Sequence, residues 1–283
     1  MIEIFSYTFM QKAFITGIFV AIACALLGTF LVLRRYALIG DGIAHISFGG
    51  VATGLLFNIT PFFGALIFAI IGSLSILRLK DKALLHGDSA IGIISHASLG
   101  IGIFIASMAS GFNVDILSYL FGSILAIKTL EMILSIILAL IVIIIIILFY
   151  NELFSITFNE ESAKTSGINV NFFNTLLILL TAITIVVSMR VVGLMLASSL
   201  IILPAVSALQ FNKSFKKSLI ISAIIAVFSV FIGLIISYYF DFAASGTIVI
   251  INITIFLTIL FMRLICNPCY SDEYPNNFFS KSY

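Results

Sequence analysis

The stretch Arg34-Arg35-Tyr36-Ala37-Leu38-Ile39-Gly40-Asp41-Gly42-Ile43-Ala44-His45 sets a carboxylate and an imidazole four residues apart, within sequence that is otherwise apolar on both sides. On a helix, residues i and i+4 share a face, so a single turn presents the two groups side by side. That is a metal-ligand pairing. Burying either group at bilayer depth is costly, and intramembrane ionisable groups mark paths for ions or protons. A plainer reading stays open beside it: Asp41 caps a helix and His45 is hydrogen-bonded in the interior.

Composition decides whether this stretch belongs to a membrane. The chain is 62% hydrophobic and 9% charged, with 28 Phe and a mean hydropathy of +1.28, whereas an ordinary soluble domain is about 25% charged. The fold class is therefore an all-α polytopic membrane protein, in contact with membrane lipids. A net charge of +2 is too small to point to a nucleic-acid partner. The opening Met1-Ile2-Glu3-Ile4-Phe5 has no basic n-region and no small-residue cleavage site before the first apolar run, so no cleaved signal peptide is expected.

Apolar runs of the length that crosses a bilayer, about 17 to 25 residues, fall at 12–33, 38–57, 61–79, 89–110, 129–150, 171–189, 192–210, 217–239 and 245–263. This gives nine spans, or eight if the run 192–210 does not cross. The second contains Asp41, His45 and several glycines, so hydropathy undersells it. The segment 114–127 is too short and polar for a span and reads as a short surface helix or a re-entrant piece. With the N-terminus outside, the inner loops hold Arg34, Arg35, Arg78, Lys80, Lys82, Lys164, Lys213, Lys216, Lys217, Arg263 and Lys281, and the outer loops only Lys12, Lys128 and Arg190. Basic residues near span ends stay on the cytoplasmic side, so the expected orientation is N-out and C-in. One transmembrane domain over residues 1–266 and a flexible cytoplasmic tail over 267–283 complete the expected organisation.

The largest inner loop carries helix punctuation. Asn159 suits an N-cap, Glu160 and Glu161 suit the positive end of a helix dipole, and Gly167 suits a C-terminal stop. A short cytoplasmic helix over about 159–168 is predicted. It is either a well-capped connector or a docking helix for a cytoplasmic partner.

The signature around Asp41 now becomes specific. It resembles the membrane permeases of ABC importers for zinc, manganese and iron, in which two basic residues and a Leu-Ile/Met-Gly/Ala-Asp step precede a Ser/Ala-His step. Further similarity runs through Ala90-Ile91-Gly92-Ile93, Tyr119-Leu120-Phe121-Gly122-Ser123-Ile124-Leu125, and Val191-Val192-Gly193-Leu194-Met195-Leu196 on to Leu203-Pro204-Ala205. It covers roughly residues 5–265. The loop with Asn159, Glu160, Glu161, Ala163 and Gly167 looks like that family's coupling helix. The resemblance implies a permease of the cytoplasmic membrane of a bacterium, working as a homodimer or pseudo-dimer. It implies ABC ATPase subunits docked beneath the coupling helices and an extracytoplasmic metal-binding protein that delivers the ion. It also places Asp41 and His45 on the translocation path near its gate.

The residues themselves agree with such a division of labour. No Gly-x-x-x-x-Gly-Lys-Ser/Thr phosphate loop occurs, so the chain has no ATP site of that kind. No cofactor is expected to be bound permanently; the metal is cargo. Two ligands do not complete a tetrahedral site, but a symmetric dimer would bring Asp41 and His45 twice. His96, on the fourth span, is an added candidate that departs from the family pattern, and His86 reads as a solvated loop residue or an exit-side ligand. Gly50 and Gly54 have the spacing for close helix approach, and Gly193 and Pro204 mark close packing and a loosened helix; both sets are packing residues that a gate would also use. Cys24 reads as core, and Cys266 and Cys269 stand without a second pair.

Two functions remain. The first is the permease subunit of an ATP-driven importer of divalent transition metal, zinc by the context of His45-Ile46-Ser47 and Phe9-Met10-Gln11-Lys12-Ala13, otherwise manganese or iron. The second is a proton- or sodium-coupled secondary carrier with Asp41 and His45 as a relay. An inverted repeat would favour the carrier, and none is evident. A hydrolase is disfavoured, because no His-Glu-x-x-His or Gly-x-Ser-x-Gly motif is present.

Overall fold

A computed structural model describes residues 6–82, 87–108, 114–122, 128–189 and 191–266. Twelve helices follow in order among them: α1 (Thr8–Leu33), α2 (Ile39–Leu56), α3 (Pro61–Lys82), α4 (Gly87–Met108), α5 (Val114–Phe121), α6 (Thr129–Leu148), α7 (Tyr150–Phe158), α8 (Glu160–Thr165), α9 (Val170–Ser188), α10 (Leu194–Leu209), α11 (Phe215–Phe240) and α12 (Ala244–Cys266). Among the described residues, each of the nine apolar runs falls on a helix, with 129–150 ending at the break between α6 and α7. Seven are long and apolar enough to cross a membrane: α1, α3, α4, α6, α9, α11 and α12. The chain is a multi-pass membrane protein. The helix α2 has 18 residues, and its glycines, Asp41 and His45 lower its hydropathy. At 16 residues, α10 rises about 24 Å, less than the hydrocarbon core of about 30 Å.

The helix α1 is the central pillar. It is apolar all round, which suits a helix surrounded by protein, and it packs against α6, α9, α10 and α11. The opposite case is α12, whose exposed Ile250, Leu257, Phe261 and Leu264 form a face suited to lipid. Most buried hydroxyls, such as Thr29, Ser47, Thr181 and Thr184, donate to a carbonyl one turn back. Apolar interior therefore closes over them without stranded donors.

One departure from simple spans positions the site. The turn joining α9 to α10 does not reach an end of the bundle. Val191 lies within 3.6 Å of where a Cβ on Gly17 would stand, and Gly17 is only the tenth residue of the 26-residue α1. Val191 and Val192 are fully buried. Beside them the chain leaving α5 crosses the turn: Gly122 and Gly193 both have positive φ (74° and 81°), and a Cβ on Gly193 would overlap the Leu120 carbonyl and the Gly122 amide. Both glycines are required, by conformation and by the backbone contact. Non-helical backbone at such depth is tolerated where protein covers it. The run 192–210 thus starts in the bundle interior with Gly193 as the N-cap of α10.

His86, Cys269, Arg190 and the tail 267–283 lie outside the described residues.

Candidate functional site

Asp41 is the third residue of α2, where a carboxylate suits the helix dipole, but no side chain caps that helix, whose N-cap position is Leu38. The capping alternative for Asp41 is therefore not the one realised. Its Oδ1 accepts a hydrogen bond from Ser198 Oγ, on the second turn of α10, while the residue remains exposed on its other side. Ser198 is itself buried. Next to Asp41, the absence of a side chain at Gly40 lets α10 approach, with Ser198 Cβ 3.4 Å from where its Cβ would be.

His45 lies one turn on, half-buried, and its Nδ1 is buried with no hydrogen-bond partner among the described residues. An interior histidine held by a hydrogen bond is the other alternative the structure does not realise. A buried ring nitrogen without a partner costs free energy, and a cation is one group that would satisfy it.

The helix α4 runs parallel to α2. A Cβ on Gly42 would meet Ile91 and Ser95, and one on Gly49 would meet Ser98, so His96 on α4 stands at the level of His45. His96 is exposed, and nothing lies within 4 Å of the Cβ position of Gly92, one turn before it. No group of three or more His, Cys, Asp or Glu side chains among the described residues is placed to hold a metal. One chain therefore supplies Asp41 and His45 as a pair, with His96 at their level but not joined to them in a three-ligand cluster.

Gly50 and Gly54 face α3. The backbones of Gly50 and Gly64 touch, and Gly54 would place a Cβ 3.0 Å from Pro61 Cα, so their contribution here is close helix packing. Pro204 lies inside α10.

Between α7 and α9, α8 is built as its sequence predicts. Asn159 Oδ1 accepts from Ser162 N at 3.0 Å. Gly167 has φ 84°, with Gly167 N donating to Lys164 O and Ile168 N to Ala163 O, the paired bonds of a Schellman stop. Ala163 is buried while Glu161, Lys164 and Gly167 are exposed. Ala163 thus anchors the inner face of this short helix and its other face is exposed.

Two features here escaped sequence reasoning. The preceding helix α7 is fixed by an aromatic cluster: Phe154 and Phe158 lie 5.2 and 5.7 Å from Phe215 of α11, and Phe215 is 5.0 Å from Phe30 of α1. With 28 Phe in the chain, no individual one stood out. Arg34, quoted above only as a basic residue of the signature, pairs with Glu160 of α8 and donates to Asn174 Oδ1 of α9 at 2.6 Å. Its guanidinium also lies 5.4 Å from the centre of the Tyr36 ring.

Comparison with known proteins bears on this geometry. The profile of the ABC 3 transport family matches residues 6–263. The manganese import system permease protein ScaB of Streptococcus gordonii is 33% identical over 256 residues, covering 90% of this chain and 92% of that protein. The high-affinity zinc uptake system membrane protein ZnuB of Haemophilus influenzae is also 33% identical, over 257 residues, covering 91% and 98%. In the solved structure of PsaBC from Streptococcus pneumoniae in complex with Fab, one chain matches with a TM-score of 0.82 and 32% identity, over 90% of this chain and 92% of that one. Equal identity to relatives named for manganese and for zinc means that overall similarity does not choose between the two metals.

Proposed function

The chain belongs to the ABC 3 transport family, and from that premise we propose that it is the permease subunit of an ATP-driven importer of a divalent transition metal, zinc or manganese, in a bacterial plasma membrane. The observation that carries the metal path is the turn of α2 bearing Asp41 and His45, with the carboxylate held on one side by Ser198 and the buried His45 Nδ1 lacking a partner. Oxygen and imidazole ligands suit both metals. Asp41, exposed in the single chain, would meet a second copy; a homodimer would supply two carboxylates and two imidazoles, with His96 of each copy at the same level. A site assembled across two chains from so few ligands also favours release, which transport requires.

Energy comes from a separate ATPase in this reading. The exposed face of α8, with Asn159 and Gly167 fixing its ends and Ala163 anchoring it, is the surface on which the ATPase docks; Glu160 and Glu161 occupy its first turn. An extracytoplasmic binding protein delivers the ion at the opposite end, consistent with the N-out, C-in orientation that the basic residues favour. Gly193 and Pro204 of α10, and Gly50 and Gly54 of α2, sit where small relative movements of these helices would open or close the path.

The test is uptake of radiolabelled zinc and manganese into vesicles holding the chain, with its ATPase and binding protein supplied or withheld. ATP-dependent uptake only in the complete set is the expected result, and the preferred isotope identifies the cargo. Gradient-driven uptake by the chain alone would replace this reading with a secondary carrier.

A further inference from the structure

The link between α1 and α2 is five residues long and tightly bonded. Tyr36 N donates to Leu31 O at 2.8 Å and Arg35 N to Val32 O at 3.1 Å, a Schellman stop on α1 in which the left-handed position, with φ 58°, is filled by Arg35. Glycine is the usual residue there, and a larger one is accommodated at a conformational cost. Ile39 N then donates to Tyr36 O, and Ile39 and Gly40 are buried, so the link passes without slack into the turn that carries Asp41.

Arg34 sits at the centre of this link. Its side chain is 4% exposed, and its two terminal nitrogens go to different helices: one to Asn174 of α9, the other to Glu160 in the first turn of α8. Its Cζ lies over the ring of Tyr36, two residues on. A planar guanidinium can serve two acceptors in a fixed geometry, which an ammonium cannot. One buried residue therefore ties α8 and α9 to the segment leading into Asp41 and His45.

We infer that Arg34 is a positioning residue that transmits displacement of α8 to the metal-binding turn of α2. The inference rests on the importer reading above, because it assigns to α8 a movement driven by an ATPase. If α8 is pushed, Arg34 either carries the α1–α2 link along or loses its bond to Glu160. Covalent continuity from α8 into α9 offers a second route, since α9 also packs on α2, with Ile185 3.8 Å from where a Cβ on Gly40 would stand; the Arg34 variants below remove only the first.

The experiment uses the complete complex in proteoliposomes and compares wild type with Arg34→Ala, Arg34→Lys and Asn174→Ala. It measures co-purification of the ATPase, ATP hydrolysis, and labelled zinc or manganese taken up per ATP hydrolysed. For Arg34→Ala the expected result is an ATPase that still binds and hydrolyses, with metal moved per ATP reduced about tenfold or more, the scale on which removed supporting partners act on metal sites. Arg34→Lys, which keeps the charge for Glu160, recovers part of the ratio, and Asn174→Ala lowers it less than Arg34→Ala does. A wild-type ratio in Arg34→Ala overturns the inference and leaves the importer reading intact. So does parallel loss of ATPase binding and hydrolysis in the milder Asn174→Ala and Arg34→Lys, which would make this a docking or folding contact. Metal uptake by wild type without its ATPase removes the importer reading and the inference together.

Discussion

Two short helical segments, α8 and the first turns of α2, carry the proposed work of this protein, and their shapes are completed in opposite ways. The bonds that shape α8 close within ten residues: Asn159 caps Ser162, and Gly167 and Ile168 return to Lys164 and Ala163. The turn with Asp41 and His45 is completed from far away, by a serine 157 residues along the chain, and one of its ring nitrogens is left without a partner. A locally closed segment can move as a unit and keep its shape. A segment completed by distant elements changes its chemistry whenever those elements move.

The sharpest way to break this comparison is to disturb the element that supplies the distant partner. Gly193→Ala forces a side chain onto a left-handed residue and into the backbone of Leu120 and Gly122; strain plus overpacking costs on the order of 3 kcal/mol. Loss of folded, membrane-inserted protein in size-exclusion chromatography is the expected outcome. Next, Asp41→Asn and His45→Ala each take metal uptake to background with insertion and thermal unfolding unchanged, and uptake assays on both variants check this. Ser198→Ala should keep the fold and weaken metal affinity or uptake by about tenfold, since partners that orient a ligand act on that scale. At the small end, Asn159→Ala removes one N-cap and costs about 1 kcal/mol of local stability, read as faster amide hydrogen exchange over 160–165 with uptake reduced only mildly. Should Asn159→Ala abolish uptake while Ser198→Ala leaves it untouched, the roles of the two segments would be reversed.

What could be read from sequence follows the same division. The caps of α8 were visible because Asn159 and Gly167 act on backbone a few residues away. The Asp41–His45 pair was visible because helical periodicity puts i and i+4 on one face. Ser198 as the partner of Asp41 was not, since many serines lie on apolar helices here and several of them bond to their own helix backbone. Arg34 appeared as a basic residue of the signature and a charge that sets orientation; its bridge from Glu160 to Asn174 depends on how three helices converge. The run 192–210 reads as a span, the least secure of the nine, because apolar residues continue through it. The need for glycine at 193 arises from contact with Gly122, which no local pattern encodes. Metal identity is a further step removed, because ligand type alone does not separate zinc from manganese.

The crossing of Gly122 and Gly193 has a last consequence. Gly193 starts α10, and Ser198, which holds Asp41, follows five residues later, about 7 Å along the same rigid rod. The contact with Gly122 and the hydrogen bond to the carboxylate are thus mounted on one part. Lifting α10 away from Gly122 also draws Ser198 from Asp41. The two contacts act as an interlock: a movement of α10 that releases one disturbs the other.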